Sequence, residues 1–236
     1  MEKLKRWKFL NKLTLQCIGM GTMLIDHIGA ALLPDILLLR CIGRLAFPIF
    51  AYFIAEGFVR TRNRKKYLLR MFLFALAAEI PFNLVAGGDL WDPVHQNVLF
   101  TFCIALLCLG RSDQLRQRHE GTLLWAVGMA LVSAAGFAAG ELLCTDYGGW
   151  GVLLVIGFFL CRELPGYYRN GAELLCMVVF TVIAIGGIEA LALLSLPLLW
   201  LYNGEPGKQS RSIQYACYAF YPAHLLILGL VSLILP

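Results

Sequence analysis

The sequence predicts an all-α polytopic membrane bundle of about nine transmembrane helices, with eight to ten allowed. Apolar runs long enough to cross a bilayer follow one another along the chain, separated by short polar turns. Charged residues make up 15% and hydrophobic ones 59%, against roughly 25% charged in a soluble domain. Basic residues collect in every second turn. No linker, internal repeat or low-complexity tract divides the chain, so residues 1–236 read as a single integral membrane domain.

The predicted spans are 13–33, 37–58, 66–85, 95–110, 121–141, 149–162, 171–186, 188–202 and 214–235. The first follows a basic stretch, as a signal peptide would. It is too long for one, holds Asp26 and His27, and has no small-residue cleavage site behind it, so it reads as a retained span. Gly186-Gly187 reads either as a tight turn or as a break within one helix, which leaves the count open. Eighteen of the 20 Lys and Arg lie in the amino terminus (Lys3, Lys5, Arg6, Lys8, Lys12) and in alternate loops, and the intervening loops carry none. The positive-inside rule then puts the amino terminus in the cytoplasm and the carboxy terminus outside. Eight Cys are scattered without a Cys-x-x-Cys pair, nearly all within apolar runs, which argues against a metal site or a disulfide framework.

The remaining two basic residues, Arg40 and Arg44, lie inside the second span and share a helix face at i, i+4 spacing. With Asp26, His27 and Glu56 they put five ionisable groups into one apolar hairpin, each costing roughly 2.5–3.5 kcal/mol to insert. His27 lies ~10 Å below the outer end of its span at 1.5 Å per residue, and the arginines are at similar depth. Pro48 cannot donate to the carbonyl of Arg44, which predicts a kink there. Glu79, His95, Asn97, Thr101, Asp146 and Tyr147 converge on the same outer level. His224, beside Pro222 in the last span, lies nearer mid-membrane. Glu173 and Glu189 close the ends of their spans and read as interfacial.

A His near a carboxylate and two Arg suits general-base chemistry, because imidazole titrates near neutrality and charged neighbours fix its state. Neighbouring positions on a helix point about 100° apart, so Asp26 is free to pair with Arg40 or Arg44 while His27 faces a cavity. A polar network that only locks the first four spans together fits the same spacing. The basic loop from Arg60 to Arg70 either orients the protein or grips phosphates. Glycine-rich nucleotide loops, a metal-type His/Cys spacing and a Gly-x-Ser-x-Gly elbow are absent. His119 reads as solvated, and His95 as an interfacial anchor or a substrate contact.

The ordered motifs Ile-Asp-His-Ile-Gly, Arg-x-x-x-Arg-Leu-Ala-Phe-Pro-Ile-Phe-Ala, Ala-Glu-Gly-Phe, Arg-Asn-Arg-Lys-Lys-Tyr, Glu-Ile-Pro-Phe-Asn-Leu, Asn-Val-Leu-Phe-Thr, Asp-Tyr-Gly-Gly-Trp-Gly-Val, Tyr-Asn-Gly and Phe-Tyr-Pro-Ala-His-Leu resemble the TraX family over essentially the whole chain. The family's namesake N-acetylates pilin, and the family is similar in outline to larger membrane acyltransferases. The resemblance implies an acetyl-CoA-dependent acetyltransferase in the bacterial cytoplasmic (inner) membrane, with His27 as general base or acyl-accepting residue and Asp26 beside it. Arg40 or Arg44 would stabilise the oxyanion or bind an anionic acceptor. Glu79, Asn97, Thr101, Asp146 and Tyr147 would line the acceptor side, with His224 a rival base. Glu56, Arg60, Arg62, Arg64, Tyr202 and Asn203 would hold acetyl-CoA at the inner mouth. The acceptor stays open between a pilin or other peptide amino terminus, a sugar, a lipid headgroup and a small amine. Membrane lipids are expected partners, nucleic acid and metal are not. A proton- or anion-coupled transporter using the same intramembrane His/Arg cluster is the alternative, and a non-catalytic assembly scaffold a third reading.

Overall fold

The structure, a computed structural model, describes residues 8–86, 90, 92–208 and 210–234. Lys3, Lys5 and Arg6 of the basic amino terminus and Trp91 lie outside the described residues, as does the side chain of Arg211. Among the described residues the chain makes nine helical passes. They are α1 (Lys12–Ala31); α2 (Leu37–Gly43) with α3 (Ala46–Arg60); α4 (Arg64–Ala86); α5 (Val98–His119); α6 (Leu123–Leu142); α7 (Gly148–Cys161); α8 (Gly166–Val178) with a π-helical extension Val179–Ile185; a 3₁₀ segment Gly187–Leu194 with α9 (Ser195–Trp200); and α10 (Arg211–Ile234). Six passes are long and apolar enough to cross a membrane, and two others are shorter apolar helices. The protein is an integral membrane helix bundle.

Local chemistry sets the boundaries. Asn11 caps α1 by accepting from the Thr14 N–H at 3.0 Å. The second pass breaks at Arg44 and Leu45, and Pro48 in the first turn of α3 leaves the Arg44 carbonyl without its helical donor. Gly186 and Gly187 take positive φ (75° and 59°) and make a turn, which fixes the count of passes at nine among the described residues. α5 continues past the expected boundary at 110. Its extension is polar except for Leu115, and Asp113, 6% exposed, accepts from Arg64 at 2.6 Å and from Gln117 at 2.7 Å.

α10 lies along α4 and α1, α1 packs on α2 and α3, and α7 sits among α3, α5, α6 and α8. Leu15, Ile49, Phe158, Phe159, Met177 and Leu196 are fully buried at the centre. Leucines of α4 (Leu69, Leu73, Leu76) and α6 (Leu123, Leu124, Leu131) are exposed, the outward apolar surface that a lipid-facing helix requires. α6 and α7 touch backbone to backbone. A Cβ at Gly140 would meet the Gly148 carbonyl carbon at 2.6 Å, and one at Gly149 the Phe137 oxygen at 2.4 Å. That contact anchors the loop carrying Asp146 and Tyr147.

The passes alternate between a basic end, holding Lys12, the Arg60–Lys66 turn, Arg116 and Arg169, and a far end without such loops. Leu10 pairs with the 201–203 segment at the basic end (Leu10 N–H to Leu201 O, 3.1 Å; Asn203 N–H to Leu10 O, 2.8 Å). At the far end the Gln96 N–H donates to Cys144 O at 2.9 Å and the Asp146 N–H to Gln96 O at 2.8 Å.

Candidate functional site

The polar residues of the first hairpin meet in one cluster. Asp26 lies between both arginines, with Oδ2 2.7 Å from Arg40 Nη1 and Oδ1 2.5 Å from Arg44 Nη2. The approach depends on Gly43, where a Cβ would sit 2.1 Å from Asp26 Oδ1. Asp26 thus positions guanidinium groups, and its carboxylate makes no hydrogen bond to His27 among the described residues. The two arginines differ in what they have left to offer. Arg44 donates through Nε to Arg40 O (3.1 Å) and through Nη1 to Glu189 Oε2 (3.2 Å) and the Tyr147 hydroxyl (3.3 Å), so it is nearly saturated. Arg40 donates only through Nη1, and its Nε and Nη2 have no protein acceptor among the described residues. Arg40 is the member of the pair able to hold an incoming oxygen.

His27 and His224 are 197 residues apart in sequence, and their rings stack with Nδ1 of His27 2.7 Å from Nε2 of His224. The other nitrogen of His224, Nδ1, lies 2.7 Å from the Phe220 carbonyl oxygen, which only accepts. With both rings neutral the tautomers follow. His224 carries its proton on Nδ1, its Nε2 accepts from His27 Nδ1–H, and His27 Nε2 keeps its lone pair. His224, expected as a rival base, is the group that orients His27. Helix α10 makes the contact possible by packing on α1, where the buried Tyr221 meets the His27 ring edge-on.

Several expected site residues have structural partners. Asn97 caps α5 by accepting from the Leu99 N–H at 3.1 Å, donates to Ala75 O at 2.9 Å, and hydrogen-bonds the buried Glu79 carboxylate. Thr101 donates to the Asp146 carbonyl. These three stabilise the far end and do not line the cavity that holds His27. Asp146 and Tyr147 do line it, together with His95. Burial holds the Asp146 carboxyl above the ordinary aspartate range, against the pull of His95 and Arg44. Tyr147 adopts φ 61°, a left-handed conformation costing roughly 1–2 kcal/mol in a non-glycine residue, and its ring stacks on Phe47 at 3.8 Å.

Glu173 and Glu189, assigned to the interfaces from sequence, are buried at 2% and 3% exposure. Glu189 neutralises Arg44, and Glu173 accepts from Arg169 at 2.8 Å and from the Trp200 indole at 3.0 Å. Glu189 is the site residue that sequence reasoning missed. Its signal, a carboxylate in the first turn after Gly186-Gly187, equally marks a helix start.

Among the expected donor-binding residues, Glu56 ion-pairs with Arg60 at 2.9 Å and accepts from Tyr202 at 3.1 Å. Arg60 also donates to Gly204 O at 2.8 Å. Arg64 is tied to Asp113, Asn203 accepts from the Glu205 N–H at 2.8 Å, and Arg62 is exposed. All six lie at the basic end; Glu56, Arg60 and Tyr202 partner one another, while Arg64 and Asn203 have partners outside the set.

Two of the cavities formed by the described residues adjoin one another. One of about 300 Å³ lies toward the far end and is lined by Asp26, His27, Arg40, Arg44, His95, Asp146 and Tyr147. A second, of about 150 Å³, lies toward the basic end and is lined by Lys12, Gln16, Tyr67, Gln214, Cys217 and Tyr218. Met23, Phe50, Val98, Phe102 and Tyr221 line both, so the two cavities share a single apolar wall. Among the described residues no three His, Cys, Asp or Glu side chains gather as a metal ligand set.

Comparison with known proteins adds a family. The TraX protein family matches residues 11–232. A probable fimbrial assembly protein FimC, serogroup H1, of Dichelobacter nodosus is 30% identical over 91% of this chain and 92% of its own. An uncharacterised Rickettsia prowazekii (strain Madrid E) protein, RP591, is 41% identical over 19% of this chain and 18% of its own. No solved structure matches.

Proposed function

The chain belongs to the TraX family, and on that premise we propose that it is a membrane acetyltransferase that moves an acetyl group from acetyl-CoA to an amine or hydroxyl acceptor. The observation that carries the reading is the polarised histidine pair. A neutral His27 with Nε2 free, held by His224 and the Phe220 carbonyl, beside an arginine with unused donors, is a general base next to an oxyanion site. His27 Nε2 takes the proton of the acceptor as its nitrogen or oxygen bonds to the acyl carbon. Nδ1–H bonding to His224 steadies the imidazolium that results. Arg40 Nε and Nη2 receive the negative charge on the carbonyl oxygen, and the C–S bond breaks as that charge collapses. His27 then returns the proton to the departing sulfur, which leaves as the thiol. Asp26 and Glu189 hold the arginines in place, as a second layer of partners does around other catalytic groups.

The basic end takes the donor side in this reading, and positive-inside orientation makes that side cytoplasmic. The acceptor would enter the His27 cavity from the far end, across the inner membrane. The Dichelobacter nodosus relative is described as a fimbrial assembly protein, which makes a pilin-type amino terminus the first acceptor to try. Membranes containing the protein would be given acetyl-labelled acetyl-CoA, and protein, lipid and saccharide fractions counted. Label in one fraction that is lost with His27→Ala supports the reading. Equal label in both preparations contradicts it.

A further inference from the structure

We infer that the cavity at the basic end is where the phosphorylated arm of the donor enters, and that Lys12, not the Arg60–Arg64 turn, supplies the cation for its phosphate. The inference rests on the acetyltransferase reading above and adds to it where the donor lies and which residue grips it.

The Arg60–Arg64 turn is poorly placed for the task. Arg60 is committed to Glu56 and Gly204 O, and Arg64 to Asp113 while lying over the Phe58 ring at 4.3 Å. An incoming phosphate would have to break those pairs before gaining its own. None of the three arginines lines the basic-end cavity, which shares a wall with the His27 cavity. Lys12 does line it. It stands at the first turn of α1, its ammonium 5.5 Å from the Phe53 ring centroid, without an ion pair among the described residues. Its nearby carboxylate, Glu56, is already neutralised by Arg60 at 2.9 Å. Two amides, Gln16 and Gln214, share the cavity wall with it.

The depth of the cavity defines the ligand. Lys12 and His27 are on one helix, about 22 Å apart along its axis at 1.5 Å per residue. The residues between them are apolar: Met23, Phe50, Phe102 and Tyr221 form the wall that the two cavities share, and the arm of the donor would have to pass along it. A ligand anchored at Lys12 and reacting at His27 must have an anionic head, a thin extended arm with few polar groups, and a reactive end. A phosphopantetheine thioester has that form, and a compact anion does not. A lysine ammonium suits a phosphate oxygen as a point charge that needs no fixed orientation.

The test is equilibrium binding to the protein in nanodiscs, using S-ethyl-CoA, a thioether that is not turned over, and S-ethyl-pantetheine, which lacks phosphate. The expected result is tight S-ethyl-CoA binding that weakens about tenfold in Lys12→Gln and returns in Lys12→Arg, with pantetheine binding unchanged and Arg62→Gln without effect. A second measurement does not depend on a variant. Cys217 lines the same cavity, so bound S-ethyl-CoA should slow its alkylation by a charged maleimide while exposed Cys144 reacts as before. Normal binding by Lys12→Gln together with unprotected Cys217 overturns this site and leaves the acetyltransferase reading standing. Failure of the unaltered protein to bind S-ethyl-CoA overturns both.

Discussion

Replacing His224 by Leu removes the acceptor for His27 Nδ1–H, which sits 2.7 Å from His224 Nε2, and keeps a side chain of similar bulk against Tyr221 and Phe220. The loss has two parts. His27 becomes free to carry its proton on Nε2, which silences it as a base, and the imidazolium formed during transfer loses its partner. Positioning partners of this kind contribute roughly 10–100-fold, about 1.4–2.7 kcal/mol at 1.36 kcal/mol per tenfold. His27→Ala removes the base itself, and general acid–base catalysis contributes typically ~10²–10⁴-fold. The account therefore expects His224→Leu to lower kcat ~10–100-fold with KM for acetyl-CoA unchanged. His224→Gln, whose Oε1 can accept from Nδ1–H, should recover part of the loss. The double variant should be no slower than His27→Ala alone, because the two residues act as one unit. Thiol release from acetyl-CoA with water as acceptor reads all four rates. Full activity in His224→Leu would refute the pairing, and turnover surviving His27→Ala but not His224→Leu would reverse the roles.

Asp26→Ala leaves two guanidinium groups without their shared carboxylate and should lower stability by about 3–5 kcal/mol, seen as a fall in the thermal midpoint in detergent. Gly43→Ala drives a methyl into Asp26 and should remove most activity while far-ultraviolet circular dichroism stays helical; wild-type turnover would mean that the α1–α2 contact is not needed. Asn97→Ala removes the α5 cap, worth about 1 kcal/mol, and strands the buried Glu79 carboxylate, for roughly 2–4 kcal/mol in all. Its kcat per folded molecule should be unchanged, since Asn97 does not line the His27 cavity; a selective loss of kcat would return it to the acceptor site.

The bundle is legible in the sequence because lipid imposes a coarse rule, long apolar runs with charge confined to alternate turns, and a count of about nine passes follows from it; the turn at Gly186-Gly187 that fixes the count does not. Asp26 meeting Arg40 and Arg44 is legible too, since the three are close in sequence on a short hairpin. The partnership of His27 with His224 is not. It depends on α10 lying against α1, and nothing local to either residue reports that packing. Glu189 was hidden for a different reason, as a carboxylate at the start of a helical segment has an ordinary capping explanation. Asn97 and Glu79 misled in the opposite direction. Polar residues at active-site depth also arise where a buried helix end must satisfy its own backbone, and sequence depth does not separate the two uses. The basic turn misled likewise, because Arg60 has its carboxylate partner Glu56 one turn back on its own helix and Arg64 has Asp113, on the stretch of α5 beyond its expected end.

The most direct measurement is release of CoA thiol from acetyl-CoA by the purified protein in nanodiscs, with unaltered protein and His27→Ala compared at equal folded concentration. The account predicts saturable turnover in the first and a loss of at least a hundredfold in the second, with comparable binding of the unreactive thioether S-ethyl-CoA by both. Equal rates in the two, or no turnover by unaltered protein that binds the thioether, would contradict it.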